Sequence, residues 1–306
     1  MFKKILVGID TATETHHAFD AALSIAKATE ADLSLLHVFS WDDAHEKCLS
    51  MLHSELEGIE NNNKVSKNDP LVECIISQYR GHEKPETLVK YQAAAQKAGV
   101  QANIESPRRG RPASNLCSAA TIEKTDLIAV GHRDKNLGSN SELDDLHLGS
   151  VSHEIIHRAP CSVLIANRID ANTESLTHID RILTALDNSV MDQLVFQEAL
   201  DLAKETGAEL TLLNVLPSSE KKHSLAKLEK LKNQAADAGV SVRVEQVIAE
   251  DDSIGKAICE LAAEKEVSLT LVGRRKLSEA QEHVLGSVSH YVAYHAPCAV
   301  LIVQPS

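Results

Sequence analysis

Gly149-Ser150-Val151-Ser152-His153 returns later in the chain as Gly286-Ser287-Val288-Ser289-His290. Ala159-Pro160-Cys161 returns as Ala296-Pro297-Cys298, and Val163-Leu164-Ile165 as Val300-Leu301-Ile302. The offset is constant through this block, the separation of Gly149 from Gly286. A gapless return of this kind marks a duplicated unit. Upstream, Ile5-Leu6-Val7-Gly8-Ile9-Asp10 matches Ile182-Leu183-Thr184-Ala185-Leu186-Asp187, and Leu35-Leu36-His37-Val38 matches Leu212-Leu213-Asn214-Val215. Ala98-Gly99-Val100 matches Ala238-Gly239-Val240, and the run 126–131 matches 268–273. The offset falls from 177 (Val38 to Val215) to 140 (Val100 to Val240), so the first copy carries about 37 extra residues, the difference between the two. A smaller insertion follows Gly131, where 142 (Gly131 to Gly273) drops to 137 (Gly149 to Gly286). The polar stretch 167–177 reads as the linker.

Each copy alternates short β-branched runs (4–10, 33–38, 101–105, 126–131, 161–166 in the first) with amphipathic stretches. Ala18, Ala21, Ala22, Ile25 and Ala26 fall at helical spacing, as do Val195, Ala199, Leu202 and Ala203 in the second copy. Near-continuous apolar strands joined by helices imply a parallel sheet covered on both faces. The expectation is an α/β chain with two doubly wound domains of about five strands each, at 1–167 and 178–306. The first carries a partly helical insertion at about 41–97, containing Trp41, Met51, Leu52, Leu56, Tyr79 and Tyr91. Such material would cover or replace the first copy's pocket. Ligands of such sheets sit beyond the C-terminal strand ends. Asp10, Val38 and Gly131 in one copy, and Asp187, Val215 and Gly273 in the other, stand at those ends. The edge strands 161–166 and 298–303 are expected to pair. They would join the copies as a pseudo-dimer, or join a second chain.

The 306 residues include 31 Lys and Arg against 44 Asp and Glu, a formal charge of −13. That balance argues against general binding to nucleic acid or to anionic membranes. Aromatic content is 3%, too low for a base-stacking surface. No apolar run reaches the length of a membrane span, and Met1-Phe2-Lys3-Lys4 leads straight into a strand and Asp10, so a cytoplasmic protein is expected. Six cysteines (Cys48, Cys74, Cys117, Cys161, Cys259 and Cys298) show neither C-x-x-C nor zinc-finger spacing and read as reduced, packed thiols.

Gly149-Ser150 and Gly286-Ser287 would each open a helix, presenting free N–H groups, a hydroxyl and the positive dipole end to an anion. The plainer alternative makes Ser150 and Ser287 simple N-caps. With these pairs following Gly131 and Gly273, the chain resembles two fused copies of the universal stress protein domain. That is a Rossmann-like fold of the adenine nucleotide alpha-hydrolase type. ATP-binding members carry G-x2-G-x9-G-[ST] after the fourth strand. The second copy keeps the spacing through Gly273, Lys276 and Gly286-Ser287, with Lys276 in place of the middle Gly. The first has Asp134 there and a longer interval, 135–148, before Gly149-Ser150, with Glu142, Asp144 and Asp145 in the enlarged loop. The resemblance implies nucleoside contact at Asp187 and Val215. It implies phosphate contact at Gly273, Gly286 and Ser287, with Val288 beside them as a further nucleotide-binding candidate; Arg274, Arg275 and Lys276 would add charge there, or else form a solvated basic loop. In the first copy it implies Asp10, Val38, Gly131, Gly149 and Ser150, as a degenerate site expected to reject ATP.

The implied function is a non-enzymatic stress-response module holding ATP or a related nucleotide, with Mg2+, in its second half. The alternative is an interaction scaffold or a carrier of another small ligand. A slow ATPase has no general base placed by motif. No P-loop, dinucleotide fingerprint or nucleophile elbow occurs. Arg108-Arg109-Gly110-Arg111-Pro112 reads as a solvated basic turn on the ligand edge, with anion contact as the alternative. His153 and His157, with His147 nearby, have the i, i+4 spacing of a metal pair, but His290 and His295 are five apart. Solvated or packed histidines and no metal are expected.

Overall fold

The structure is a computed structural model. It describes residues 1–9, 15–39, 86–106, 108–132, 149–167, 176–219, 225–274 and 286–305. The first half runs β1 (Lys4–Ile9), α1 (Thr15–Thr29), β2 (Asp32–Phe39), α2 (Glu86–Lys97), β3 (Ala102–Ile104), β4 (Arg108–Arg109), α3 (Pro112–Glu123), β5 (Leu127–Gly131), α4 (Ser150–Arg158) and β6 (Ser162–Ala166). The second runs β7 (Arg181–Ala185), α5 (Asp192–Thr206), β8 (Glu209–Leu216), α6 (Ala226–Asp237), β9 (Val242–Ile248), a 3-10 turn (Glu250–Asp252), α7 (Ile254–Glu264), β10 (Leu269–Gly273), α8 (Ser287–His295) and β11 (Ala299–Val303).

Each half builds the same parallel order, β3-β2-β1-β5-β6 and β9-β8-β7-β10-β11, with the small β4 beside β2. The two halves meet where β6 and β11 pair antiparallel, Leu164 opposite Leu301. Among the described residues one sheet of eleven strands therefore runs through the chain. The strand period of two sends Ile5, Val7, Leu33 and Leu35 to one face, under α1, α2, α5 and α6. Leu6, Leu36, Ile128 and Val130 face the other side, under α3, α4, α7 and α8. Both apolar layers contain residues of both halves, so the copies share two cores that cross the junction.

The helical spacing read from sequence lies on α1 and α5, where Ala18, Ala22, Ile25 and Ala26, and Val195, Ala199, Leu202 and Ala203, are all buried. The stretch assigned to an insertion needs correction at its end. Residues 86–97 form α2, the counterpart of α6, and Leu88, Tyr91 and Ala95 repeat as the buried Leu228, Leu231 and Ala235. Tyr91 packs on Phe19 with ring centroids 4.4 Å apart and bonds His16 Nδ1 at 2.8 Å. It is a core residue, because it fills the slot that Leu231 fills in the other copy. Burial and the charge of Asp20 push its hydroxyl up to about 12. Trp41, Met51, Leu52, Leu56 and Tyr79 lie outside the described residues.

The junction repeats its own hydrogen bonds. Asn167 and Gln304 are repeat mates at the same offset as Gly149 and Gly286, and each donates its side-chain amide to the carbonyl closing the other half's helix. Asn167 Nδ2 reaches Ala296 O at 3.2 Å, and Gln304 Nε2 reaches Ala159 O at 2.9 Å. Of the six cysteines, Cys161, Cys259 and Cys298 are buried, Cys117 is half-buried, and these four are free thiols. Cys48 and Cys74 lie outside the described residues. Among the described residues no helix is long and apolar enough to cross a membrane.

Candidate functional site

At the C-terminal strand ends of the second half lies a cavity of about 130 Å³. Asp187, from the loop after β7, and Val215, from β8, line it. So do Gly273, the last residue of β10, and Gly286, Ser287 and Val288, at the start of α8. Six residues singled out from sequence thus converge from four separate stretches of chain. Met191, Val195, Ile254, Ile258 and Val272 give the cavity an apolar body, with Ser189, Asp192 and Ser289 as further polar groups.

The β7–α5 loop carries Asp187 on a fixed frame. Asn188 takes the left-handed region at φ 64, where an Asn is tolerated better than most residues. Ser189 N–H donates to Asp187 Oδ1 at 3.0 Å, and Met191 N–H to Ser189 Oγ at 3.2 Å. Asp187 N–H donates to Asp192 Oδ1 at 3.1 Å. Asp192 is buried at the first turn of α5, and Lys227 of α6 reaches its other oxygen at 2.7 Å. Burial raises the Asp192 carboxyl, and the Lys227 bond and charge pull it partly back. No spacing in the sequence announces this pair. An Asp in the first turn of a helix with a Lys far along the chain is an ordinary surface pattern.

Behind the loop, Asn214 of β8 donates to Leu186 O at 2.9 Å and accepts from Gln246 Nε2 at 3.1 Å. His37, at the matching place in β2, does the same for the first half, its Nδ1–H donating to Ile9 O at 2.7 Å. Two unlike side chains therefore clamp the two strand ends that lead to Asp187 and Asp10.

Gly273 sits in close approach to its neighbours. A Cβ there would stand 3.1 Å from Val195 Cγ2 and 3.3 Å from Met191 Cβ. Any side chain at this strand end would press on the start of α5. Gly149 and Gly286 are the N-cap residues of α4 and α8, without side-chain cap bonds, and Ser150 and Ser287 are the first helical residues. The alternative that makes these serines the caps is thus set aside. The second serine of each repeat does structural work that the sequence did not reveal. Ser152 Oγ donates to Gly131 O at 2.6 Å and Ser289 Oγ to Gly273 O at 2.7 Å. Each helix start is tied in this way to the strand end it follows.

Arg274 departs from its expected place beside a phosphate. Its guanidinium donates to His157 O, to Ala159 O at 3.2 Å and to Gln304 Oε1. It clamps the junction because the last carbonyls of the first half's helix find no acceptor role within the helix itself. Arg275 and Lys276 lie outside the described residues, as do Asp10, Asp134, Glu142, Asp144, Asp145 and His147. In the first half Val38 stands near the end of β2, Gly131 closes β5, and Gly149 and Ser150 begin α4. The basic turn forms β4, pairing Arg108 with Val38 at that same edge. His153, His157 and His290 do not line the second-half cavity.

The profile of the universal stress protein family matches residues 1–167 and 178–304. The universal stress protein YxiE of Bacillus subtilis is 34% identical over 168 residues, covering 54% of this chain and 99% of its own length. A crystal structure of a universal stress protein from Archaeoglobus fulgidus superposes with a TM-score of 0.68 at 23% identity, covering 99% of this chain and 96% of that one. A putative universal stress protein from Pseudomonas aeruginosa gives 0.60 at 18% identity, covering 99% and 94%. These two solved structures share the fold across both halves.

Proposed function

The chain belongs to the universal stress protein family, as two domains in tandem, and on that premise we propose that it is a non-enzymatic stress-response protein whose second half binds ATP or a related nucleotide together with Mg2+. The observation that carries this reading is the convergence of Asp187, Val215, Gly273, Gly286, Ser287 and Val288 on one cavity. The chemistry of that lining suits a nucleotide. The Asp187 carboxylate accepts hydrogen bonds from ribose hydroxyls. Val215, Ile254 and Ile258 offer an apolar wall to a base. The free N–H groups at the start of α8 face a phosphate with the helix dipole behind them. The first half, with acidic residues inserted before Gly149, is the degenerate site.

A second reading, a carrier of a small ligand with an apolar body, is favoured by the preponderance of Met, Val and Ile in the same lining. Calorimetric titration of the full chain with Mg-ATP, beside acid extraction of the freshly purified protein, separates the two. The expected result is one nucleotide per chain, lost in Asp187→Ala while the variant keeps its circular dichroism. Absence of both heat and extractable nucleotide overturns the nucleotide reading.

A further inference from the structure

We propose that His153, His157 and His290 form a site for a divalent transition-metal cation of the zinc class, assembled across the junction of the two halves. The offset that relates Gly149 to Gly286 also makes His290 the repeat mate of His153, and Tyr294 the mate of His157. The duplication has thus set His-x3-His on α4 against His-x3-Tyr on α8. The sequence separates these residues, and the antiparallel β6–β11 pairing brings their helices together. His153 and His157 lie one turn apart with ring centroids 4.8 Å from each other. The His290 ring stands 5.9 Å from the first and 6.0 Å from the second.

One nitrogen from each ring lies within 4.8 Å of the other two. Around a tetrahedral ion with bonds of about 2.0–2.1 Å, ligand nitrogens stand roughly 3.4 Å apart. Side-chain rotation closes that gap, since His153 is exposed and the other two are half-buried. Tyr294 supplies the outer support that metal-bound imidazoles require. Its hydroxyl bonds His153 Nδ1 at 2.6 Å, which leaves Nε2 as the nitrogen that ring presents. Its ring stacks on His290 with centroids 4.3 Å apart, fixing that imidazole as well.

The donor set selects the ion. Three imidazoles without a carboxylate suit zinc, copper, nickel or cobalt and discriminate against Mg2+ and Ca2+. The nearest cation on α4, Arg158, is paired with Glu154. A fourth position stays open to water. Because two ligands come from the first half and one from the second, a bound ion would fasten the halves to each other. This site is independent of the nucleotide reading, since none of its residues lines that cavity.

The test is titration of the full, tag-free chain, stripped with chelator, with Zn2+ at pH 7.5, with Co2+ as the spectroscopic probe. One Zn2+ per chain is expected, with a rise in melting temperature and a tetrahedral Co2+ absorption band. His290→Ala lowers the affinity at least ten-fold and abolishes the thermal shift. Should that variant fail to fold, the exposed His153→Gln serves the same purpose with the same expected loss. Tyr294→Phe keeps one Zn2+ per chain and weakens it by about ten-fold. Mg2+ in the same titration shifts nothing. Absence of saturable Zn2+ binding overturns the proposal. So does an affinity that is unchanged in His290→Ala or His153→Gln, which would place the ion elsewhere among the 15 histidines.

Discussion

The two ligand edges are built from the same parts and differ in what has been added between them. Ser152 and Ser289, His37 and Asn214, and Asn167 and Gln304 occupy matching positions and make matching hydrogen bonds. The extra residues of the first half all fall in the connections after β2 and β5, at the edge where a ligand would sit. The second half keeps short connections and gathers its strand ends around a cavity. The bonds that hold the sheet are therefore kept even where the side chain that makes them differs, because each satisfies a backbone carbonyl near the core. The loops at the strand ends are free to diverge. The halves are alike in scaffold and unlike in site.

The largest expected effect tests whether the halves stand or fall together. Leu301 is fully buried opposite Leu164, in an apolar layer that spans both copies. Leu301→Ala is expected to cost about 2–5 kcal/mol, the lost transfer energy plus a cavity. Hydrogen exchange would then show protection falling in β1 as well as in β7. A loss confined to the second half would mean two independent folding units and would break the comparison at its base.

A smaller effect is expected at the clamps. Asn214→Ala leaves Leu186 O without its donor and Gln246 without its acceptor, a cost of about 1–3 kcal/mol in urea unfolding. Asn214→His should recover part of that loss, since a His performs this task in the first half. Equal destabilisation by Ala and His would show that the two clamps are not interchangeable.

The repeat made the tandem organisation and the parallel α/β class legible, because the blocks returned with their spacing intact and apolar periodicity survives in both copies. The shared sheet was legible only as an edge expected to pair. Residues 86–97 were assigned to the insertion because the break in the offset located the extra residues only somewhere between Val38 and Ala98. Adjacency to Gly273 suggests a phosphate contact or a solvated loop for Arg274. It follows Gly273 directly in sequence, but its side chain turns toward the helix end of the other half. His290 and His295, five apart, make no helical pair in the sequence, whereas the His290 ring meets His153 and His157 from another helix. Contacts created by the docking of two copies have no local spacing to betray them.

The smallest effect concerns a pair found in one half alone. Asp192 and Lys227 correspond, by offsets of 177 and 140, to Thr15 and Thr87, neither of which carries charge. In the native fold burial raises the Asp192 carboxyl above its ordinary 3.8, although Lys227 pulls it down. A raised carboxyl means that the folded state holds the proton more tightly than the unfolded chain. Its contribution to stability is full below 3.8 and wanes as the pH climbs through the raised value. Lys227→Met removes the bond and the charge that lower it most, leaving only the Asp187 N–H bond, so the carboxyl rises further and its ionisation weighs more heavily against the fold. The expected loss is about 1 kcal/mol at pH 7, because the lysine is itself half-exposed and its attraction is screened. At pH 3.5, below the ordinary 3.8, the loss should be smaller, since the carboxyl is then more than half protonated with or without its partner. Chemical denaturation of both proteins at the two pH values measures the difference. An equal loss at both would assign Lys227 a packing role and leave the second half's loop no better anchored by charge than the first's.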